Sequence, residues 1–316
     1  MTLPAGYTAR PMRLEDAALV AEHSGAYTRA LLGFAKHSPE DVANYLRDPG
    51  FDPATGGWVV LDPSGEFAGS ATALTTADGS RAQLEVLSEN PAIVRWLLDQ
   101  GLTRAETVGR AGGQREVVVS TASLRQDELM PPIIAAQGFA IGTTVQRMRI
   151  TFDGPVKDPV VPDGVSVRRG AFDDSSRRAA HAVLEEAFRA QPSAMPRPYD
   201  EWKESRESRS TFDWSQLTTV ALDGQAVGVT ECNDNFVSTD NCGYVGRLAV
   251  VPSARGRGLA KFLLYNAFAV DATAGRSGTI LHVDSNNPTP AVALYTAVGM
   301  RPDVVSDIWR RTIQLA

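Results

Sequence analysis

The hydrophobic pattern of this chain switches between a period of two and a helical period, and each switch marks an element boundary. The clearest switch falls between residues 243 and 275. Gly243-Tyr-Val-Gly-Arg-Leu-Ala-Val-Val251 is an apolar, β-rich run, and Pro252 stops it as expected of a strand. From Ala260 the apolar side chains fall at Ala260, Leu263, Leu264, Ala267 and Phe268, the stripe of an amphipathic helix. That helix is expected to end near Ala274, with Gly275 as its C-terminal cap.

The same reading runs through both halves of the chain. In the first, Leu14 to about Phe34 is helical, and Trp58–Leu61 and Phe67–Leu74 are strands joined by a turn at Asp62-Pro63-Ser64-Gly65. Ala82–Leu87 is a further strand, Pro91–Glu106 a helix, Glu116–Ser120 a strand, and a helix entered at Pro131-Pro132 ends at Gly138-Phe139. In the second half Val165–Arg168 is a strand and Ser175–Arg189 a helix. Leu217–Leu222 and Ala226–Glu231 form a hairpin around Asp223-Gly224. The 243–275 unit follows, then Thr279–Val283, a short helix closed by Gly299-Met300, and a closing strand Val304–Ile313. The order repeats, so the chain reads as an internal duplication. Residues 153–163, with three prolines, read as a linker between domains at 1–152 and 164–316.

Composition narrows the class. A length of 316 residues suits two domains of about 150 each. The 43% hydrophobic and 22% charged content is that of an ordinary globular protein. A net charge of −6 implies no broad basic surface, so nucleic acid is not an expected partner. Cys232 and Cys242 are the only cysteines, and their spacing suggests neither a disulfide framework nor a zinc site; no metal is expected. No basic-then-apolar leader opens the sequence and no apolar run is long enough to span a bilayer, so a soluble, cytoplasmic protein without a membrane partner is expected.

Chemistry concentrates between the strand and helix of the 243–275 unit, at Arg255-Gly256-Arg257-Gly258-Leu259-Ala260. Glycines there let the backbone turn tightly and bring its N–H groups up to an anion, and the helix N-terminus adds a favourable dipole. Such a loop cradles a phosphate or diphosphate. The Gly-Lys-Ser/Thr ending of a Walker loop is missing. A dinucleotide fingerprint would need a third glycine where Lys261 stands, although Asp284 at the end of the next strand keeps that reading open. Arg255-x-x-Gly258-x-Ala260, after a strand ending Leu248-Ala249-Val250, resembles instead the loop of the GNAT acetyltransferases. One strand later, Asn286-Asn287-Pro288-Thr289-Pro290 leads into Ala291, Val292, Leu294 and Tyr295 and closes at Gly299-Met300. This is similar to the GNAT segment Asn-x-x-x-Ala-x-x-Leu-Tyr-x-x-x-Gly-(Phe/Met), in the order that family has.

The resemblance implies an α/β (α+β) protein of two tandem GNAT-like domains, each a mixed, mostly antiparallel sheet flanked by helices. It implies acetyl-CoA as cosubstrate, held by Leu248, Ala249, Val250, Arg255, Gly256, Arg257, Gly258, Leu259, Ala260 and Asn287, and a small-molecule amine as acceptor. The tandem layout, with Phe212-Asp213-Trp214, resembles the mycothiol synthase group of actinobacterial GNAT enzymes. Tyr244, however, stands where that group has a Glu against its amine, so another small amine is the expected acceptor. The copies are unequally equipped. Ser88-Glu89-Asn90-Pro91 replaces the cradle in the first, with no glycine, one N–H lost at Pro91 and an acid at the anion position, and Ile134 replaces Tyr295. The first domain is therefore expected to be degenerate and the second catalytic.

Acyl transfer from a thioester needs a neutral amine, stabilisation of an oxyanion and a proton for the leaving thiolate. A backbone N–H around Val250 suits the oxyanion. The resemblance makes Tyr295 the general acid, while its place on the stripe Ala291, Leu294, Tyr295, Val298 is equally that of a core tyrosine. Glu231 shares strand parity with Val227 and Val229; an inward position would raise its pKa and make it a base. His282 and Asp234 rank behind it, and with Tyr244 are expected to contact substrate. Two further classes remain open: a transferase of this fold using another activated donor such as aminoacyl-tRNA, and a non-catalytic acyl-CoA-binding protein. The loop Arg189–Arg209, which shapes the acceptor pocket, carries no readable code.

Overall fold

Turns form where the small polar residues and glycines sit. Asp223 and Gly224 both take positive φ, 49° and 78°, the geometry that suits the twist of a two-residue hairpin. Asp173 caps the helix after it by accepting from the N–H of Ser176 at 2.7 Å. Gly275, at φ 75°, ends the helix that begins at Leu259, and the next residue's N–H reaches back to the carbonyl of Asp271. The computed structural model describes residues 2–189, 197–287 and 289–315; residues 190–196 of the 189–209 loop and Pro288 lie outside them.

In chain order the elements are β1 (Thr8–Pro11), α1 (Ala17–Leu32), α2 (Pro39–Leu46), α3 (Pro53–Gly56), β2 (Gly57–Leu61), β3 (Phe67–Thr75), β4 (Arg81–Leu87), α4 (Pro91–Ala111), β5 (Glu116–Leu124), α5 (Met130–Ala136) and β6 (Ala140–Thr151). Then come β7 (Val165–Arg169), α6 (Asp174–Phe188), α7 (Tyr199–Glu207), β8 (Leu217–Leu222), β9 (Gln225–Asn233), α8 (Val237–Asp240), β10 (Cys242–Val250), α9 (Leu259–Thr273), β11 (Gly278–Asp284), α10 (Ala291–Ala297) and β12 (Arg301–Gln314).

Two units result, one of Met1–Val145 with Val305–Ala316 and one of Gln146–Val304. The first has strand order β1-β2-β3-β4-β5-β12, antiparallel except for the parallel pair β4–β5. The second has β6-β11-β10-β9-β8-β7, in which β7–β8, β8–β9 and β9–β10 are antiparallel and β10–β11 is parallel.

These boundaries differ from a linear cut at 152 and 164. The closing strand β12, expected with the second half, pairs with β5 from Ser306↔Leu124 to Gln314↔Glu116. Its side chains decide this: Trp309 and Ile313 enter the core built on Val117, Val119, Leu84 and Ile134, and the Trp309 indole donates to Ser123 Oγ at 3.0 Å. In return β6, which the sequence pattern left without a strand, belongs from Gln146 onward to the second unit, where it lies beside β11 and the Phe152 N–H meets the carbonyl of Ser277. Residues 153–163 carry no helix or strand.

α9 is the central helix of the second unit. Leu263, Leu264, Ala267 and Phe268 of its predicted stripe are buried, and so are Leu259, Phe262 and Ala269, so apolar residues surround most of its circumference. A helix apolar on so many sides belongs in a core, and here it joins two of them. One contains Val220, Val229 and Ala249; the other contains Val245, Leu281 and Tyr295.

Candidate active site

The site begins with a strand that leaves its neighbour. β10 pairs with β11 only over Cys242–Val245 against Gly278–Leu281, although β10 runs on to Val250 and β11 to Asp284. On its other side β10 stays joined to β9 as far as Val250↔Gly228. The stretch Gly246–Val250 therefore has one edge with no strand partner among the described residues, and apart from the carbonyls of Gly246 and Val250, which accept from Arg247 and Arg255, its backbone groups there are open to a ligand.

A bulge lies at the parting. The register with β9 slips between Val245 and Arg247, so Gly246 is the extra residue. The slip resets side-chain parity. Gly243 and Val245 face α9, where a Cβ on Gly243 would strike the carboxylate of Asp271. Without the bulge Arg247 would follow them. With it, Arg247 stands opposite Glu231, on the same face as Tyr244, and Leu248 takes the α9 side.

Beyond Val250 the chain makes a short turn at Pro252–Ala254 and then the glycine loop. Gly256 and Gly258 take φ of 80° and 76°, and a Cβ on either would meet nothing within 4 Å. The glycines are thus required by the backbone conformation, and the space beside them is open. Gly258 caps α9 without a side-chain hydrogen bond, and the first helical bond runs from the Phe262 N–H to its carbonyl at 3.0 Å. The N–H groups of the first turn, at Leu259, Ala260 and Lys261, remain open to an anion. Arg255, expected at the diphosphate, also has a place within the protein. Its Nε donates to the carbonyl of Val250 at 3.1 Å and its Nη2 to that of Ala187 at 3.4 Å, tying the loop to the strand end and to α6. Arg257 is exposed and makes no ion pair or hydrogen bond among the described residues. Asn287 likewise holds its own turn, its Oδ1 accepting from the N–H and hydroxyl of Thr289.

Across the ladder, Glu231 is only 5% exposed, as its parity suggested, but it is not an isolated acid. Arg206, on α7, donates to its Oε1 through Nε at 3.1 Å and Nη2 at 2.9 Å, while Oε2 is enclosed without a partner. Burial alone would push this carboxyl up, but Arg206, Arg247 and Arg209 outweigh it and hold the pKa below the ordinary glutamate value. This overturns the raised pKa on which its role as base was founded.

Tyr244 and His282 meet on the same face, the Tyr hydroxyl 3.0 Å from His282 Nδ1, and both rings pack on Phe236. Burial raises the Tyr244 hydroxyl, and Arg247 and Arg209 pull it back. Asp234 is drawn elsewhere: Arg276 pairs with it and the Gln216 amide donates to it at 2.7 Å, so its carboxylate is committed to structure. Tyr295 packs its ring among Val245, Leu264, Phe268, Leu281 and Val283. Its hydroxyl makes no hydrogen bond among the described residues yet is not among the fully enclosed polar atoms, and burial pushes its pKa up to about 12.

Sequence pattern thus named Glu231, Tyr244 and His282 as separate candidates, which the structure brings to one face, and missed Arg206, Arg209, Arg247 and Phe236. Gly246 inside a strand was the available signal for the bulge that turns Arg247. Nothing local announces that Arg206, on a separate helix, finds Glu231.

Among known proteins, residues 179–300 match the acetyltransferase (GNAT) family. That segment is a GNAT acetyltransferase domain. It spans most of the second unit, including the parted strands, the glycine loop and Tyr295. The mycothiol acetyltransferase of Thermomonospora curvata is 26% identical over 250 residues, covering 78% of this chain and 76% of its own. That of an Arthrobacter species is 27% identical over 270 residues, covering 83% and 77%. A GCN5-related N-acetyltransferase from Sphaerobacter thermophilus superposes with a TM-score of 0.81 at 24% identity, covering 99% of this chain and 98% of that one. A tandem GNAT protein from the clavulanic acid biosynthesis pathway reaches 0.69 at 17% identity, covering 97% and 98%. The fold is accordingly that of two tandem GNAT domains, each a mixed sheet with flanking helices. The protein is an N-acetyltransferase, and GNAT acetyltransferases take acetyl-CoA as cosubstrate. No group of three or more His, Cys, Asp or Glu among the described residues could hold a metal, and no described helix is long and apolar enough to cross a membrane.

Proposed function

We propose that the chain transfers the acetyl group of acetyl-CoA to the primary amine of a small molecule, at the parting of β10 from β11. One observation carries this reading: an unpartnered strand edge leads directly into a helix N-terminus opened by two positive-φ glycines. The diphosphate fits the N–H groups of residues 256–260, with Arg257 beside them, and the acyl arm fits the open edge of Leu248, Ala249 and Val250. Arg255 and Asn287 shape the two loops that border it.

The chemistry rests on the charge states. The carbonyl oxygen of the thioester gains charge as the amine adds, and an N–H of the open edge near Val250 stabilises it. Glu231, bound to Arg206 and held below the ordinary glutamate value, is a poor base for taking a proton from an ammonium. We assign that step to His282, the group on this face whose ordinary pKa lies near neutrality. Tyr295 donates a hydrogen bond to the departing sulfur. Full proton transfer from a phenol at about 12 to a thiolate near 8.5 would be uphill by roughly 5 kcal/mol. The proton shed by the amine completes the thiol instead. The first unit takes no cosubstrate, because the Asn90 side chain already accepts from the Ala92 N–H at 2.9 Å and Pro91 has no N–H to offer.

A panel of primary amines with acetyl-CoA tests the reading: coenzyme A release must depend on the amine and match the acetylated product. Binding of acetyl-CoA without amine-dependent release would leave a non-catalytic acyl-CoA binder. His282→Gln is expected to lower kcat/KM at pH 7 by about tenfold or more and to remove the neutral limb of its pH profile, with recovery at high pH. Glu231→Gln should leave the shape of that profile intact; loss of the neutral limb there would return the base to Glu231.

A further inference from the structure

The face that carries Tyr244 and His282 holds a cation that supports the Glu231 charge from across the ladder, pairs with no carboxylate among the described residues and has no part in the acyl-transfer chemistry. Arg206 is committed to Glu231, which leaves that carboxylate neutralised. Arg247 stands directly across the ladder from Glu231, and the bulge at Gly246 is what brings it to this side of the sheet. Its guanidinium is exposed; Nη1 donates to the carbonyl of Gly246 at 2.9 Å, and no carboxylate lies within ion-pair distance among the described residues. A fork with its remaining N–H groups open suits bidentate recognition of a planar anion. It also sits two residues past the parting of β10 from β11, beside the reactive end of the open edge and several residues before the glycine loop that would hold the diphosphate. The positive potential it and Arg209 create reaches the Tyr244 hydroxyl, where Glu231 is the opposing charge.

We infer that the acceptor is an amino acid-like zwitterion, whose carboxylate is seated on the Arg247 guanidinium while its amine faces His282 and Tyr244. The inference rests on the acetyl-transfer reading for the place of the amine, but the anion seat stands on Arg247 alone. The reaction balances without further partners. The amine nitrogen bonds to the acetyl carbon, the carbon–sulfur bond breaks, the amine's proton ends on the thiol, and the carboxylate passes through unchanged. Pairing the carboxylate with Arg247 holds the acceptor by the end that does not react, which fixes the distance from carboxylate to nitrogen and selects among amines by length.

The test uses the full chain with β-alanine, 4-aminobutanoate, 6-aminohexanoate and phenylalanine, each against its methyl ester. Binding to the coenzyme A complex is followed by calorimetry and turnover by thiol release. At least one acid is expected to exceed its ester in kcat/KM by about tenfold or more, the worth of one hydrogen-bonded charge pair. Arg247→Gln should bring that ratio near one through KM for the acceptor, with KM for acetyl-CoA held, and Arg247→Lys should restore part of it. Esters equal to or better than acids, a ratio that survives Arg247→Gln, or a matching rise in KM for acetyl-CoA would each overturn the seat. So would a panel in which no acid binds. Acids that bind in preference to esters but are never acetylated would keep the seat and sink acetyl transfer, whereas acetylation of esters alone would do the reverse.

Discussion

The strand that follows each hairpin, β4 in the first unit and β10 in the second, meets its parallel neighbour in the same way. β4 pairs with β5 over Arg81–Leu84, and β10 with β11 over Cys242–Val245, and both pairs then stop. Past that point the two units diverge. β10 goes on through a bulge residue, and an open glycine loop and a helix whose first turn has no side-chain cap follow it. After β4 there is no bulge in the register with β3, and Asn90 caps α4 through the Ala92 N–H while Ser88 Oγ binds the carbonyl of Ala68. The helices differ too: α4 buries only apolar residues and glycine, while α9 also buries Asn266 and Asp271. Parted strands are therefore a property of the duplicated fold, and anion binding is an addition that needs unsatisfied N–H groups. A helix start that satisfies its own donors is the more stable design and the less useful one.

The largest test of that contrast is Gly258→Glu. The substitution forces a side chain into a positive-φ position and places a carboxylate where the diphosphate belongs, while no neighbour is struck, so the fold should persist. Acetyl-CoA affinity is expected to fall by about a hundredfold or more. Calorimetry on the unmodified chain should give one equivalent; a second equivalent, or binding that survives the substitution, would erase the distinction between the units. Next in size is Tyr295→Phe, which tests whether the residue that replaces Ile134 of the first unit is chemical or merely packed. The ring's contacts survive, so acetyl-CoA binding should hold while kcat drops about tenfold. Unchanged turnover, with chemistry rate-limiting by rapid quench, would make it a core tyrosine.

The smallest effect concerns Asp271, the buried acid that α4 lacks. Burial raises its pKa to about 6 from an ordinary 3.8, against the pull of Thr279 and Arg276. The folded state then binds this proton more tightly than the unfolded one, so the stability it contributes is full below pH 3.8 and lost as pH rises through about 6. The melting temperature of the native chain minus that of Asp271→Asn should therefore increase as pH is lowered from 7 to 5. A flat difference would show that Asp271 titrates alike in both states.

Residue type and spacing were enough to identify the glycine loop, the tandem order and the Asn287–Tyr295 segment, because backbone freedom at glycine and helical periodicity are local. They also placed Glu231 inside, since strand parity is local as well. Three things needed the folded chain. The closing strand β12 joined the first unit because Trp309 and Ile313 fit the core beside β5, and strand pairing of this range leaves no mark on neighbouring residues. Glu231 became a paired anion because Arg206 approaches it from α7, and a charge state is set by partners in space. Arg247 reached the face of Tyr244 and Glu231 because one unpaired glycine shifted the alternation of β10, and parity past a bulge is decided by the partner strand against which it is counted.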